Sequence, residues 1–338
     1  MRFAIAAAVA FLALPGAARP DVPAVTVAVV DSGVNPSVPG LVTGYNAVDG
    51  SSDTAETGGH GTGVAQVVAA TCGGCRIMPV RIADESGASS QGLVAAGIRW
   101  ASEHGARVIN LSWGLAIGAR STGQVERAIA GAVERGAAVT LAVMNDGSRD
   151  PSLNPWASRS PDGIRVGAVD EDGRLLSSSN HGIWVDIGAR GSATSNAAPR
   201  VAGAASVVLA AHPELDGLRV RAALRRGCTS MPSLDVGWHC VLDVDGAVKA
   251  AGSTVPTYRL SVTKAGKGSG VVGGSGAAIQ CGVFCADRLD ASTIVTLTAA
   301  PVRGSRFVRW TGPCGGSKPF CSLRVAGNAA AVAVFARR

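Results

Sequence analysis

Residues 24–30 (AVTVAVV) form an unbroken β-branched run, and the absence of polar alternation predicts a strand buried on both faces of a parallel sheet. Similar runs recur at 76–82, 107–111, 137–143 and 164–169. Between them, 61–70, 91–104 and 124–135 carry helical periodicity. This alternation predicts an α/β fold, a doubly wound and mostly parallel sheet covered by helices, with any active site at the carboxyl ends of the strands. An alanine- and valine-rich stretch running to about Ala211 reads as a further, buried helix with Pro199 tolerated in its first turn.

The texture changes near residue 251. Residues 251–256 read as a linker ending in Gly-Ser-Thr-Val-Pro. Short alternating strands at 258–263, 294–299 and 329–335, separated by glycine-rich turns, predict a second, small all-β domain over 257–338, so the main domain is expected at 19–250. Residues 1–18 read as a secretory signal peptide: Arg2, an apolar run over 3–14, the Pro15-Gly16 break, then Ala17 and Ala18. The run is shorter than the roughly 20 residues that span a bilayer, so the chain is expected to be secreted, periplasmic or at the cell surface.

Only 16% of the residues are charged and 45 are glycine, which suits a tightly turned α/β protein better than a disordered or coiled-coil chain. In an exported chain the eight cysteines favour disulfides, and nearness groups them as Cys72/Cys75, Cys228/Cys240, Cys281/Cys285 and Cys314/Cys321. The competing zinc reading of Cys72-Gly-Gly-Cys75 lacks a second pair of like spacing nearby. The formal charge of +7 is unevenly spread: residues 257–338 set eleven Lys/Arg against Asp287 and Asp290 alone. This basic tail suggests an anionic cell-envelope surface as a partner, although solubility alone would also account for it. No specific nucleic-acid partner is indicated, and a monomer is expected.

Three segments carry chemistry. Ser195 stands at the start of the buried helix, where free backbone N–H groups and the helix dipole favour a developing oxyanion, yet a serine there also reads as an ordinary N-cap. A serine nucleophile needs a base oriented by a third group. Of the five histidines, His60 alone lies between a glycine-rich turn and a helix start. Asp31 ends the first buried strand and could orient the imidazole, or simply start a turn.

Together VAVVDSGV around Asp31, GHGTGVA around His60 and TSNAAPRVAG around Ser195 resemble the signature blocks of the subtilisin-like serine protease (subtilase) family, in that family's chain order. The resemblance covers roughly residues 25–250. It implies a serine endopeptidase acting on polypeptide substrates through an acyl-enzyme on Ser195. Asn145 would then donate to the oxyanion, and Ser112, Trp113 and Gly114 would pair with substrate and line the pocket for the residue before the cut. No cofactor is required; calcium sites common in the family have no clear counterpart, Asp49 and Asp53 being the nearest candidates.

The chain departs from the family pattern where Ala193 and Met144 replace common glycines, where Arg200 replaces a histidine, and where a pocket loop before Ser195 is missing. These departures keep alive a catalytically weak or inactive secreted binding protein on a protease scaffold, as well as an esterase using the same triad. Residues 258–338 resemble a divergent internalin-type B-repeat module, through LSVTKAGKGSGVV, CGVFC, VTLTAAP, GSRFVRWTGPC and AVAVFA.

Overall fold

Every residue of β1 (Thr26–Asp31) is buried, as a continuous apolar run requires. Its alternate side chains feed two cores: Val27 and Val29 face one, Ala28 and Val30 the other. The computed structural model describes residues 24–56, 59–116, 118–253, 255–277, 279–282 and 284–338; the expected signal peptide, residues 1–18, lies outside them.

The chain continues through β2 (Tyr45–Asn46), α1 (His60–Cys72), β3 (Arg76–Arg81), α2 (Gln91–Glu103), β4 (Val108–Leu111), α3 (Gln124–Glu134) and β5 (Ala138–Ala142). The short α4 (Pro155–Ser158), β6 (Ile164–Val169) and β7 (Ile187–Arg190) follow. Next come α5 (Thr194–Ala211), α6 (Gly217–Gly227), β8 (Thr229–Ser230), β9 (Cys240–Val241) and α7 (Val244–Ala251). The sheet order is β2-β3-β1-β4-β5-β6-β7-β9-β8, parallel except for β8 against β9. One core holds α1, α5, α6 and α7, and the other holds α2 and α3. Because β1 has β3 on one side and β4 on the other, the winding reverses there, and a crevice opens at the carboxyl ends of β1 and β4.

Helix α5 runs through the first core with twelve of its residues buried. It crosses α1 where Gly203 meets Thr71: a Cβ on Gly203 would come 2.5 Å from Cβ of Thr71, so glycine lets the two helices touch. One expectation needs correcting. Helix α5 starts at Thr194, which puts Pro199 at its sixth residue, inside the helix and beyond the first turn.

Residues 257–338 form two four-stranded sheets. β10 (Thr257–Ala265), β11 (Gly270–Ser275), β12 (Gln280–Cys281), β13 (Ala286–Asp290), β14 (Ile294–Pro301), β15 (Ser305–Thr311), β16 (Phe320–Arg324) and β17 (Ala329–Arg337) pair in the orders β13-β10-β17-β15 and β12-β11-β14-β16. All pairs are antiparallel except β10 with β17. Leu260, Val262 and Phe335 of one sheet share a core with Val272, Val295 and Leu297 of the other. Disulfides join Cys72 to Cys75, Cys228 to Cys240, Cys281 to Cys285 and Cys314 to Cys321. With both sulfurs of each pair consumed, the cysteine zinc reading is excluded. Among the described residues no helix is long and apolar enough to cross a membrane.

Candidate active site

Asp31 closes β1 at the crevice, with its side chain fully buried. Its Oδ1 accepts hydrogen bonds from the Ser32 N–H at 2.8 Å and the Ser32 hydroxyl at 3.1 Å, and lies 2.7 Å from Nδ1 of His60. His60 is the first residue of α1, entered through Gly59 at φ 81°. The close seating of α1 on β1 requires Gly61, because a Cβ there would come 2.2 Å from the Gly33 carbonyl oxygen and 3.0 Å from Cβ of Asp31. The His60 side chain is 45% exposed. Its pKa is raised: the hydrogen bond to Asp31 outweighs the opposing effect of burial, and the charges of Asp31 and Glu56 add to it.

Glu56 was not singled out by sequence reasoning, yet it organises this corner. Its Oε1 accepts from the Gly61 N–H at 2.8 Å and from the Ser32 hydroxyl; its Oε2 accepts from the Thr62 N–H at 2.7 Å and from the Thr62 hydroxyl. One carboxylate therefore caps the exposed donors of α1 and ties them to the residue after Asp31. Burial raises its pKa, but the hydrogen bonds from Ser32, Thr62 and Gly61 prevail and hold it below the usual value. The signal was present as an acidic residue just ahead of a helix start, where it favours the dipole.

Ser195 is the second residue of α5 and half-buried. Ala193, which stands where the family commonly has glycine, has φ −158° and ψ 167°, extended backbone open to any residue. Pro199 has no N–H for the Ser195 carbonyl four residues back, and the Ser112 hydroxyl donates to that oxygen instead, at 3.3 Å. The Ser112 hydroxyl accepts from Nδ2 of Asn110 at 3.0 Å, and Oδ1 of Asn110 accepts from the Thr140 hydroxyl at 3.0 Å. This buried polar chain runs from β5 through β4 to the start of α5.

Asn145 follows β5 and is exposed; its Oδ1 accepts the Thr194 N–H at 2.9 Å, so its amide NH₂ is turned free beside the start of α5. Trp113 places its ring edge-on to His60, with centroids 6.2 Å apart. Gly114 lies against the Met144 side chain, and a Cβ on Gly114 would fall 2.5 Å from the Met144 sulfur. Met144 itself has φ 76°, in the left-handed region that favours glycine. Only residues 191–193 separate β7 from α5, and Arg200 is exposed.

The structure thus joins Asp31 to His60 and brings Ser112 and Asn145 to the start of α5. The Ser195 hydroxyl makes no hydrogen bond among the described residues, so the structure does not join it to the Asp31–His60 pair. Asp49 and Asp53 turn their Oδ1 atoms to the backbone N–H groups of Ser51 and Ala55, and Arg81 lines the same cleft. Among the described residues no three His, Cys, Asp or Glu side chains converge as metal ligands.

Comparison with known proteins adds to this geometry. Residues 23–238 match the model of the subtilase family, and residues 260–338 match that of the divergent InlB B-repeat domain. The chain is 35% identical over 211 residues to the thermophilic serine proteinase of Bacillus sp. (strain AK1), covering 54% of this chain and about half (51%) of that protein. It is 30% identical over 251 residues to subtilisin Savinase of Lederbergia lenta, covering 67% of this chain and 91% of Savinase. Among solved structures, fervidolysin from Fervidobacterium pennivorans, described as a keratinolytic enzyme related to subtilisin, shares the fold with a TM-score of 0.64 and 22% identity, over 93% of this chain and 59% of that one.

Proposed function

The chain belongs to the subtilase family, a class of serine-type endopeptidases, and from that premise we propose that it hydrolyses peptide bonds through an acyl-enzyme on Ser195. His60 takes the Ser195 proton as Oγ attacks the scissile carbonyl, and Asp31 steadies the imidazolium that forms. The oxyanion is held by the Asn145 amide and the Ser195 N–H, a first-turn donor with no helical partner. His60 then returns the proton to the leaving amine as the C–N bond breaks. Water, deprotonated by the same imidazole, releases the acyl group and restores the Ser195 hydroxyl.

The observation that carries this reading is the 2.7 Å contact of the fully buried Asp31 with a half-exposed imidazole. The buried carboxylate fixes the proton on Nδ1 and leaves Nε2 as the base. The extended backbone at Ala193 takes away one of the two departures that supported an inactive scaffold; the other, the short segment between β7 and α5, stands.

Residues 1–18 act as the export signal in this reading. The β domain offers a cationic face to an anionic envelope surface: Arg303, Arg306, Arg337 and Arg338 are exposed at one end of the β15–β17 ribbon, with the exposed Arg309 further along β15. The peptidase reading is tested by mass mapping of peptides released from a denatured protein mixture. Release is expected from the native chain and not from Ser195→Ala or His60→Ala. Asn145→Ala is expected to lose roughly 100- to 1,000-fold in turnover, the size of this effect in subtilisin. Cleavage of a short-chain ester with none of casein would point to an esterase.

A further inference from the structure

The α/β body buries an unbalanced charge. Arg165 on β6, Asp186 before β7 and Arg221 on α6 are all at most 2% exposed. Asp186 accepts from Nε of Arg165 at 2.8 Å and its backbone N–H at 2.9 Å, and from Nη2 of Arg221 at 3.0 Å. Two guanidinium groups therefore share one carboxylate. The neighbouring body carboxylate, Asp162, is engaged elsewhere, with Arg259 at 2.8 Å and Arg288 at 3.1 Å, both from the β domain.

The missing negative charge comes from across the boundary. Asp287 of β13, only 1% exposed, places Oδ1 3.3 Å from Nη2 of Arg221 and Oδ2 3.9 Å from Arg225. Burial alone would push the Arg221 guanidinium down, and the charges of Asp186 and then Asp287 reverse that. Phe284, which precedes β13 and is 2% exposed, enters the body's second core alongside Trp184 and Val236. Its ring receives the Arg165 guanidinium at 4.1 Å, the face on which the buried Nη1 has no hydrogen bond. At the rim, Asp290 takes both Nε and Nη2 of Arg226 at 2.9 Å.

We propose that residues 257–338 serve the peptidase as an intramolecular stabilising subunit, in which Asp287 neutralises the buried Arg165–Asp186–Arg221 cluster and Phe284 completes the body's core. A swinging adhesive arm would need neither a buried counter-charge nor an aromatic in its neighbour's interior. Any surface bound by the cationic face is consequently held at a fixed distance from the crevice. Removing one partner of a buried ion cluster leaves its charge uncompensated, so the body is expected to suffer when only the β domain is changed.

The test uses the full chain carrying Ser195→Ala, so that no readout depends on catalysis. Heating is expected to unfold body and β domain in one calorimetric transition. Asp287→Ala is expected to lower that transition and shorten the folded half-life roughly tenfold or more, and Arg221→Met added to it to restore part of the loss. Should Asp287→Ala not fold at all, a protease site inserted at residues 253–255 of the otherwise unchanged chain decides. After cutting, the two pieces are expected to co-elute in high salt and unfold together. Separation of the pieces, with the body unfolding at its former temperature, would overturn the proposal.

Discussion

Pro199 and Ser112 act together on the backbone at Ser195: the proline has no N–H to offer the Ser195 carbonyl, and the Ser112 hydroxyl donates to that oxygen at 3.3 Å. A helix interior disfavours proline because a carbonyl loses its donor and meets the ring. Here the released carbonyl becomes the point at which β4 grips the start of α5. Ser112→Ala is expected to lower kcat about tenfold with little change in KM, the size of one lost hydrogen bond plus an unsatisfied Asn110 amide. Steady-state kinetics separate this from substrate pairing by the Ser112 side chain, which would move KM.

The raised pKa of His60 fixes the sign of two pH effects. In the peptidase reading His60 must be neutral to act as base, so the acid limb of kcat/KM is expected above the ordinary value of 6.5, and Asp31→Asn is expected to shift it down and cut turnover by about 10⁴-fold. For stability, a pKa raised on folding contributes fully below the unfolded value and is lost as pH rises through the folded one. His60→Gln should therefore destabilise more at about pH 5 than at about pH 9, as read from denaturant midpoints.

Met144 is strained in the left-handed region and packs on Gly114, two residues after the serine that holds Ser195. In the peptidase reading its thioether narrows the cleft for the side chain preceding the cut. Met144→Gly is expected to fold at least as well, since left-handed backbone costs a non-glycine residue about 1–2 kcal/mol, and to accept larger residues there. Profiling with peptides that vary only at that residue checks it. Gly114→Ala alone should clash and lose activity, and Met144→Gly should restore it.

Glu56 anchors α1 by accepting the Gly61 and Thr62 N–H groups, and these bonds hold its pKa below the usual value. Such a group contributes stability above its unfolded value of 4.5, lost as pH falls through the lower folded one. Glu56→Gln keeps the shape and removes the charge. It is expected to lower stability near neutral pH by about 1–2 kcal/mol and to flatten the loss on acidification below about pH 4.5, as followed by thermal unfolding across pH.

The sheet was legible because parallel strands buried on both faces write themselves as apolar runs, as β1, β4 and β6 do. Asp31 and His60 were legible because their places at a strand end and a helix start are written in flanking glycines. Pro199 was misread because a proline inside a helix is tolerated only when another donor takes the freed carbonyl, and Ser112 lies far off in sequence. Glu56 escaped for a like reason: its role needs Ser32 and Thr62 brought to it by the fold. The pairing of Asp287 with Arg221 has no sequence signature, because charge balance inside a core shows only once the two domains meet.

In the peptidase reading His60 and Asp31 make Ser195 reactive, and reaction of the intact protein with a fluorophosphonate probe, read by whole-protein and peptide mass, tests this most directly. One adduct on Ser195 is expected, absent from Ser195→Ala and strongly slowed in His60→Ala and Asp31→Asn. A native chain that stays unlabelled, or a label that forms equally fast without the imidazole, would contradict it.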